Sequence, residues 1–264
     1  MPELPEVETI TRALAPRLRG RRIMSAEFRC LRVLKGDPDA TSAGLAGRKV
    51  RDVRRHGKFI EIVLEGGSSF VVHLGMTGKL LMNGTTGKHT HAILTLDRGT
   101  LHYDDSRQFG RLELSNGLPA RVRKLGPEPL DVTLAEFAAR LRERRSGLKS
   151  LLLNQRFLRG IGNIYADEAL FRAGIHPLAM AVRLRPDRVK KLHTAIRQVL
   201  EEAIRAGGSS ISDYVDVDGR QGSFQVRHKV YQKTGQPCPR CGAPIRRMLV
   251  TQRGTHYCPR CQRK

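Results

Sequence analysis

Two Cys-x-x-Cys pairs near the end of the chain, Cys238-Pro239-Arg240-Cys241 and Cys258-Pro259-Arg260-Cys261, most narrow what this sequence can fold into. Each pair lets two thiolates reach one tetrahedral ion, and the 16 residues between them suit a β-hairpin carrying 245–251 and 255–257. Four sulfur ligands fill every position around one zinc ion, so the site is structural and offers no open place for catalysis. Such an ion drives local folding, with apparent binding on the order of 10–16 kcal/mol in zinc-finger peptides. A redox role fits less well, because two matched pairs at this separation are a zinc-ribbon spacing. Cys30 lies elsewhere and reads as a buried reduced thiol.

Charge indicates the partner. The 264 residues carry 48 Lys+Arg against 25 Asp+Glu, a net charge of +23, and Cys238 to Lys264 holds seven cations and no acid. An excess of this size points to a polyanion, nucleic acid ahead of anionic membrane. Binding should then weaken steeply with salt, because each neutralised phosphate releases counterions. No run of 18 apolar residues is present and the start lacks a signal-peptide pattern, so a cytoplasmic protein with reduced thiols and no membrane contact is expected.

Hydrophobic period divides the rest. Val7, Ile10, Leu14 and Leu18 share a helical face over 5–19, with Pro5 in the first turn, Gly20 after the end and Pro16 set to bend or fray the last turn. From about 21 to 115 short alternating runs (58–64, 69–74, 92–96, 100–103) separated by glycine turns predict a sandwich or barrel. Near 133 the period becomes helical: Thr133 and Glu136 form a capping box, and further helices are expected at 147–156, 163–173 and 187–206. The segment 207–224, rich in Gly, Ser and Asp, reads as a mobile loop too polar to pack. The resulting division is 1–132, 133–224 and 225–264.

Several short motifs could carry chemistry. Pro2 follows Met1, and removal of the initiator would leave a secondary amine beside Glu3. That amine could attack a carbonyl-like carbon and form an iminium ion, with Glu3 moving protons. On these residues alone an ordinary processed terminus is the simpler reading. Met76 within His73–Gly78 and Phe109 within Arg107–Gly110 could wedge into a base stack with Arg107, although singly each would more often be core. Gly160-Ile161-Gly162-Asn163 offers either an anion site at a helix start or a plain cap by Asn163, with Arg144 and Lys149 adding charge upstream. Arg253, on a tight turn, could grip phosphate or simply be solvated. His89 and His91 suit phosphate contact or plain surface.

Taken together and in order, Pro2–Glu8, His73–Gly78, Arg107–Gly110, Gly160–Glu168 and the zinc ribbon through Gln262 closely resemble the bacterial formamidopyrimidine-DNA glycosylases, over essentially the whole chain. The resemblance implies an α+β multidomain fold: an N-terminal β-sandwich with a flanking helix, a helix-two-turn-helix domain and a four-cysteine zinc-finger hairpin, with DNA across the cleft. It implies a bifunctional glycosylase and abasic-site lyase acting on oxidised purines in duplex DNA, expected as a monomer. Pro2 would be nucleophile and Glu3 proton donor, with Lys58 serving β-elimination and Arg253 δ-elimination. Met76, Arg107 and Phe109 would fill the void left by the flipped base, and His73, His89, Arg144, Lys149 and Asn163 would hold phosphates. The segment 207–224 would be the flap over that base. Gln232-Lys233 after Val230-Tyr231 departs from the family's usual Gly-Arg, and Gln108 stands where Lys or Arg is common. The sister enzymes for oxidised pyrimidines, and a non-catalytic zinc-ribbon DNA-binding protein, are the rival readings; Leu4 and the Met76/Arg107/Phe109 set favour the purine enzyme.

Overall fold

The structure, a computed structural model, describes residues 2–264. Its contacts form two compact units, one running to Lys124 and including Ala206–Gln225, the other combining Leu125–Arg205 with Val226–Lys264. This grouping differs from the sequence division in two ways: 206–225 goes with the sandwich, and the zinc hairpin goes with the helices.

The first unit opens with α1 (Leu4–Leu18), whose inner face buries Val7, Ile10, Leu14 and Leu18 as the 3.6-residue period requires. Pro16 lies within the last turn without ending it, and Arg19 N still donates to Ala15 O at 3.0 Å. Next come β1 (Ile23–Phe28), β2 (Leu34–Lys35), α2 (Pro38–Leu45), β3 (Val50–His56), β4 (Phe59–Leu64), β5 (Ser68–His73), β6 (Lys79–Met82), β7 (Thr90–Leu96), β8 (Thr100–Asp104), β9 (Arg111–Asn116) and the short α3 (Ala120–Arg123). They build a four-stranded sheet, β1-β7-β8-β6, and a five-stranded sheet, β2-β9-β5-β4-β3, antiparallel except where β2 meets β9. Inward residues of both sheets, including Ile60, Ile62, Phe70, Val72, Leu94 and Leu101, share one core with the buried face of α1, which makes the unit a sandwich.

The sequence pattern missed α2. Its signals are local: Asp37 accepts from Ala40 N at 2.8 Å and Pro38 sits in the first turn, but only Thr41 and Leu45 are buried, so no apolar stripe marks it. The expectation that 207–224 is too polar to pack is also corrected. Tyr214 and Val217 of 206–225 are buried in the sandwich core, and Met82 N donates to Val217 O at 3.0 Å, as an added strand would. Polar composition hid two well-placed anchors.

In the second unit, α4 (Leu134–Arg142), α5 (Leu148–Leu153), α6 (Asn163–Ala173) and α7 (Pro186–Arg205) follow the predicted periods. The Thr133–Glu136 capping box forms, and Gly174, at φ 69°, ends α6. The hairpin is β10 (Arg246–Val250) paired with β11 (Arg253–Tyr257). It belongs with the helices because Phe171 of α6 packs with Val230, Cys238, Ala243, Ile245 and Cys258. Glu168 of α6 completes the link by accepting from the N–H groups of Lys229, Val230 and Tyr231 at 2.9–3.0 Å.

Candidate active site and metal centre

Pro2 and Glu3 are both buried at the entry to α1. Glu6 fixes that entry: its Oε2 accepts from Glu3 N at 2.8 Å, the reciprocal arm of a capping box. Its other oxygen, Oε1, accepts from Ser209 N at 2.7 Å, so one buried carboxylate ties the helix start to the 206–225 segment. Gly208 makes this approach possible: φ is +82° and an added Cβ would lie 2.8 Å from Glu6 Oε1. The hydroxyl of Tyr214 donates to Gly207 O at 3.0 Å and closes the same corner. Met1, whose removal the amine chemistry needs, lies outside the described residues.

Lys58 is buried just before β4, where Phe59 pairs with His73 of β5. Burial and then the positive charge of Lys58 hold the His73 imidazole down to about 4, so it is neutral near pH 7. Gly75 N donates to His73 Nδ1 at 3.2 Å, which leaves the proton on Nε2. A neutral ring with an N–H donor can hydrogen-bond a phosphate oxygen without carrying charge.

Met76 and Phe109, which singly could have been core, are 38% and 53% exposed. The guanidinium of Arg107, also exposed, lies 4.8 Å from the Phe109 ring centre. Asp105 joins their two loops and is fully buried. It accepts from Thr77 Oγ1 at 2.5 Å, Gly110 N at 2.8 Å, Tyr103 OH at 3.1 Å and Arg107 N at 3.2 Å. These hydrogen bonds outweigh its burial and hold the carboxyl below its ordinary value. His91 is buried with Nε2 2.8 Å from Asp105 O, whereas His89 is exposed. Sequence reasoning missed Asp105; the Asp104-Asp105 pair between strand and loop in a very basic chain was its only signal.

The phosphate set changes in the second unit. Lys149 is fully buried, its Nζ 2.6 Å from Asp167 Oδ1 and 2.9 Å from Asn163 O, so it has no face to offer a phosphate. The sequence suggests a surface cation, because a lone Lys on a short helix gives no sign of a partner 18 positions away. Asp167 Oδ2 in turn accepts from His256 N at 2.9 Å and lies 3.0 Å from His256 Nδ1, so α5, α6 and β11 share one buried polar chain. Gly162, not Asn163, caps α6. The Asn163 amide instead donates to Gly254 O at 2.8 Å, reaching the hairpin turn. Arg144 is exposed. Arg253 is also exposed and follows a two-residue turn in which Thr251 and Gln252 have φ of 48° and 59°. Such a turn matches strand twist but disfavours residues with a Cβ, so it holds Arg253 in place at some conformational cost.

The four sulfurs of Cys238, Cys241, Cys258 and Cys261 lie within 4.8 Å of one another, with separations of 3.8 Å for Cys238–Cys261 and 3.5 Å for Cys241–Cys258. A tetrahedron with Zn–S bonds of about 2.3 Å needs sulfurs roughly 3.8 Å apart, so the set fits one zinc ion. Backbone N–H groups of Arg240 and Cys261 point at Cys238 Sγ and Cys258 Sγ, both at 3.4 Å, as suits thiolates. No helix among the described residues is long and apolar enough to cross a membrane.

Comparison with known proteins covers the same ground. Family models match at residues 1–112 (formamidopyrimidine-DNA glycosylase N-terminal domain), 125–215 (its H2TH domain) and 235–263 (zinc finger found in FPG and IleRS). The formamidopyrimidine-DNA glycosylase of Solibacter usitatus is 63% identical over 265 residues, covering 100% of both chains. That of Thermus thermophilus is 45% identical over 273 residues, covering 99% of this chain and 98% of its own. The crystal structure of the Thermus thermophilus MutM (Fpg) protein superposes with a TM-score of 0.90 at 43% identity, covering 99% of this chain and 98% of that one. A Lactococcus lactis Fpg variant in complex with a Fapy-dG-containing DNA gives 0.93 at 37% identity, with both chains fully covered.

Proposed function

The chain belongs to the formamidopyrimidine-DNA glycosylase family, and from that premise we propose that it excises oxidised purines from duplex DNA by covalent catalysis at Pro2. It is a bifunctional glycosylase and abasic-site lyase of base-excision repair, with one structural zinc. The observation that carries the reading is the buried Pro2–Glu3 entry to α1, fixed by Glu6.

In this reading the freed Pro2 amine attacks C1′ of the damaged nucleotide as the bond to the base breaks. The base leaves and Pro2 gives up its N–H proton; Glu3 supplies a proton to O4′, the C1′–O4′ bond breaks, and the ring-opened sugar remains joined to Pro2 as an iminium ion. That cation makes the C2′ proton acidic. Its removal, served by Lys58, expels the 3′ phosphate, and a second elimination served by Arg253 expels the 5′ phosphate. Unstacking the base costs a few kcal/mol, which Met76, Arg107 and Phe109 offset by filling the space it leaves. His73, His89, Arg144 and Asn163 hold phosphates. Lys149 acts differently, keeping Asp167 and so the hairpin strand in position. Residues 1–132 serve as the catalytic module, the helices of 133–224 as the gripping module, with 206–225 packed on the sandwich, and 225–264 as the zinc module, in a protein that works as a cytoplasmic monomer.

Borohydride trapping on an 8-oxoguanine:C duplex tests this. An adduct whose peptide mass places the sugar on Pro2 is expected with the native terminus, and none when residues precede Pro2. Equal trapping by an N-terminally extended protein would remove Pro2 as nucleophile. Faster cleavage of thymine-glycol:A than of 8-oxoguanine:C would instead favour the pyrimidine-specific sister enzymes.

A further inference from the structure

A second strongly basic site lies within the second unit. A cavity of about 970 Å³ is walled by Arg183, Arg185, Arg188, Lys191, Arg263 and Lys264, and a single acid, Asp187, lines it with them. That carboxylate lies 3.5 Å from Arg185. Six cations converging on one concavity repel each other unless an anion enters, and low-dielectric walls focus their field.

The walls are built. Arg263 pairs with Ile175 as a parallel bridge, and its carbonyl accepts from His176 N at 2.9 Å and Arg188 Nη2 at 2.5 Å. Gln262 is buried, donating to Ile175 O at 2.9 Å and accepting from Cys258 N at 2.7 Å. The basic tail is therefore fixed to the zinc knuckle. The opposite wall is the first turn of α7, a 20-residue helix whose dipole adds to the same field.

The cavity is also distinct from the hairpin-turn residues assigned to the lesion strand, while Arg144 O accepts from Val182 N at 3.2 Å, next to Arg183 of its wall. It touches the knuckle at Cys261, whereas Arg253 and the Gly254 carbonyl held by Asn163 sit at the turn end of the hairpin. The five residues of β11, at roughly 3.4 Å each, put about 17 Å between the two ends.

We propose that this cavity is a second phosphate-chain site, which takes the backbone of a nucleic-acid segment other than the one bearing the lesion. A protein that holds two segments at once can pass from one to the other without full release into solvent. The assignment concerns a separate surface and needs no particular chemistry at Pro2.

The test begins with protein saturated by a duplex containing a tetrahydrofuran abasic analogue. A fluorescent undamaged duplex is then titrated in and followed by anisotropy at several salt concentrations. The native protein should bind this second duplex. The R183A/R185A/K191A variant should bind it at least tenfold more weakly, with the salt slope reduced by roughly 2–3. Its affinity for the first duplex and its single-turnover excision rate should be unchanged. Tripolyphosphate should displace the second duplex before the first. No second binding by native protein, or equal second binding by the variant, would overturn the proposal. So would tripolyphosphate binding at the cavity without any duplex binding, since the site would then serve free polyphosphate. Failure to bind the first duplex would count against the repair function instead.

Discussion

The sandwich and the zinc hairpin are held together by different physics. The sandwich rests on a broad aliphatic core drawn from two sheets, α1, Tyr214 and Val217. The cluster behind the hairpin has six buried apolar residues, two of them cysteines. What it lacks in apolar area is made up by the metal centre, by Glu168 receiving three backbone N–H groups, and by the buried Lys149–Asp167–His256 chain. A core of many small contributions loses stability gradually as residues are trimmed. A polar chain fails abruptly, because removing one member strands a buried charge.

Metal removal should expose this contrast most strongly. Chelation, or Cys238→Ser, should unfold the hairpin and lower DNA affinity by about two orders of magnitude or more, since metal binding is folding energy there. The thermal transition of the sandwich should persist. A single transition lost as a whole would show that the units do not differ in this way.

Lys149→Met comes next. It leaves Asp167 buried without its cation and should destabilise the second unit by about 3–5 kcal/mol. The double variant Lys149→Met/Asp167→Leu should recover part of that loss in denaturant melts. If the double variant were as unstable as the sum of the singles, the ion pair would not be the reason for the loss.

Asp105→Asn tests the polar hub of the sandwich. Its hydrogen bonds position the loops bearing Met76 and Arg107–Phe109, and weakening charged ones costs roughly 1.5–3 kcal/mol. Single-turnover excision from duplex should fall roughly tenfold to a hundredfold. The loss should be smaller on single-stranded lesion DNA, where no void needs filling. Equal losses on both substrates would place Asp105 outside this positioning role.

The smallest effect concerns pH. Burial holds His73 of the first unit and His228 of the second down to about 4. Unfolding lets each ring take up a proton near its ordinary value of about 6.5, so both units should lose stability as pH falls from there toward 4. Below that the units should diverge. Hydrogen bonds and charges hold Asp105 and Glu61 below ordinary carboxylate values, so their stabilisation is lost as pH falls through those lowered values. Burial raises Glu168, so its penalty fades on acidification. Hydrogen exchange resolved by unit at roughly pH 7, 5 and 3.5 should show the sandwich losing more protection in the last step.

Whatever depends on near neighbours is legible in the order of residues alone. Spacing brought the four cysteines together, the Thr133–Glu136 box started α4, and the helical period located α1, α6 and α7. The order of short motifs was enough to place the family. Which polar residues are buried, and with whom, is set by three-dimensional packing, because those pairs are far apart in the chain. Asp167 meets His256 across 89 positions and Glu6 meets Ser209 across 203. No local pattern distinguishes the solvated lysine expected at 149 from the buried one observed, nor the polar loop expected at 207–224 from a segment anchored by Tyr214 and Val217. A side chain's charge is written in the sequence, but the desolvation it undergoes depends on what folds over it.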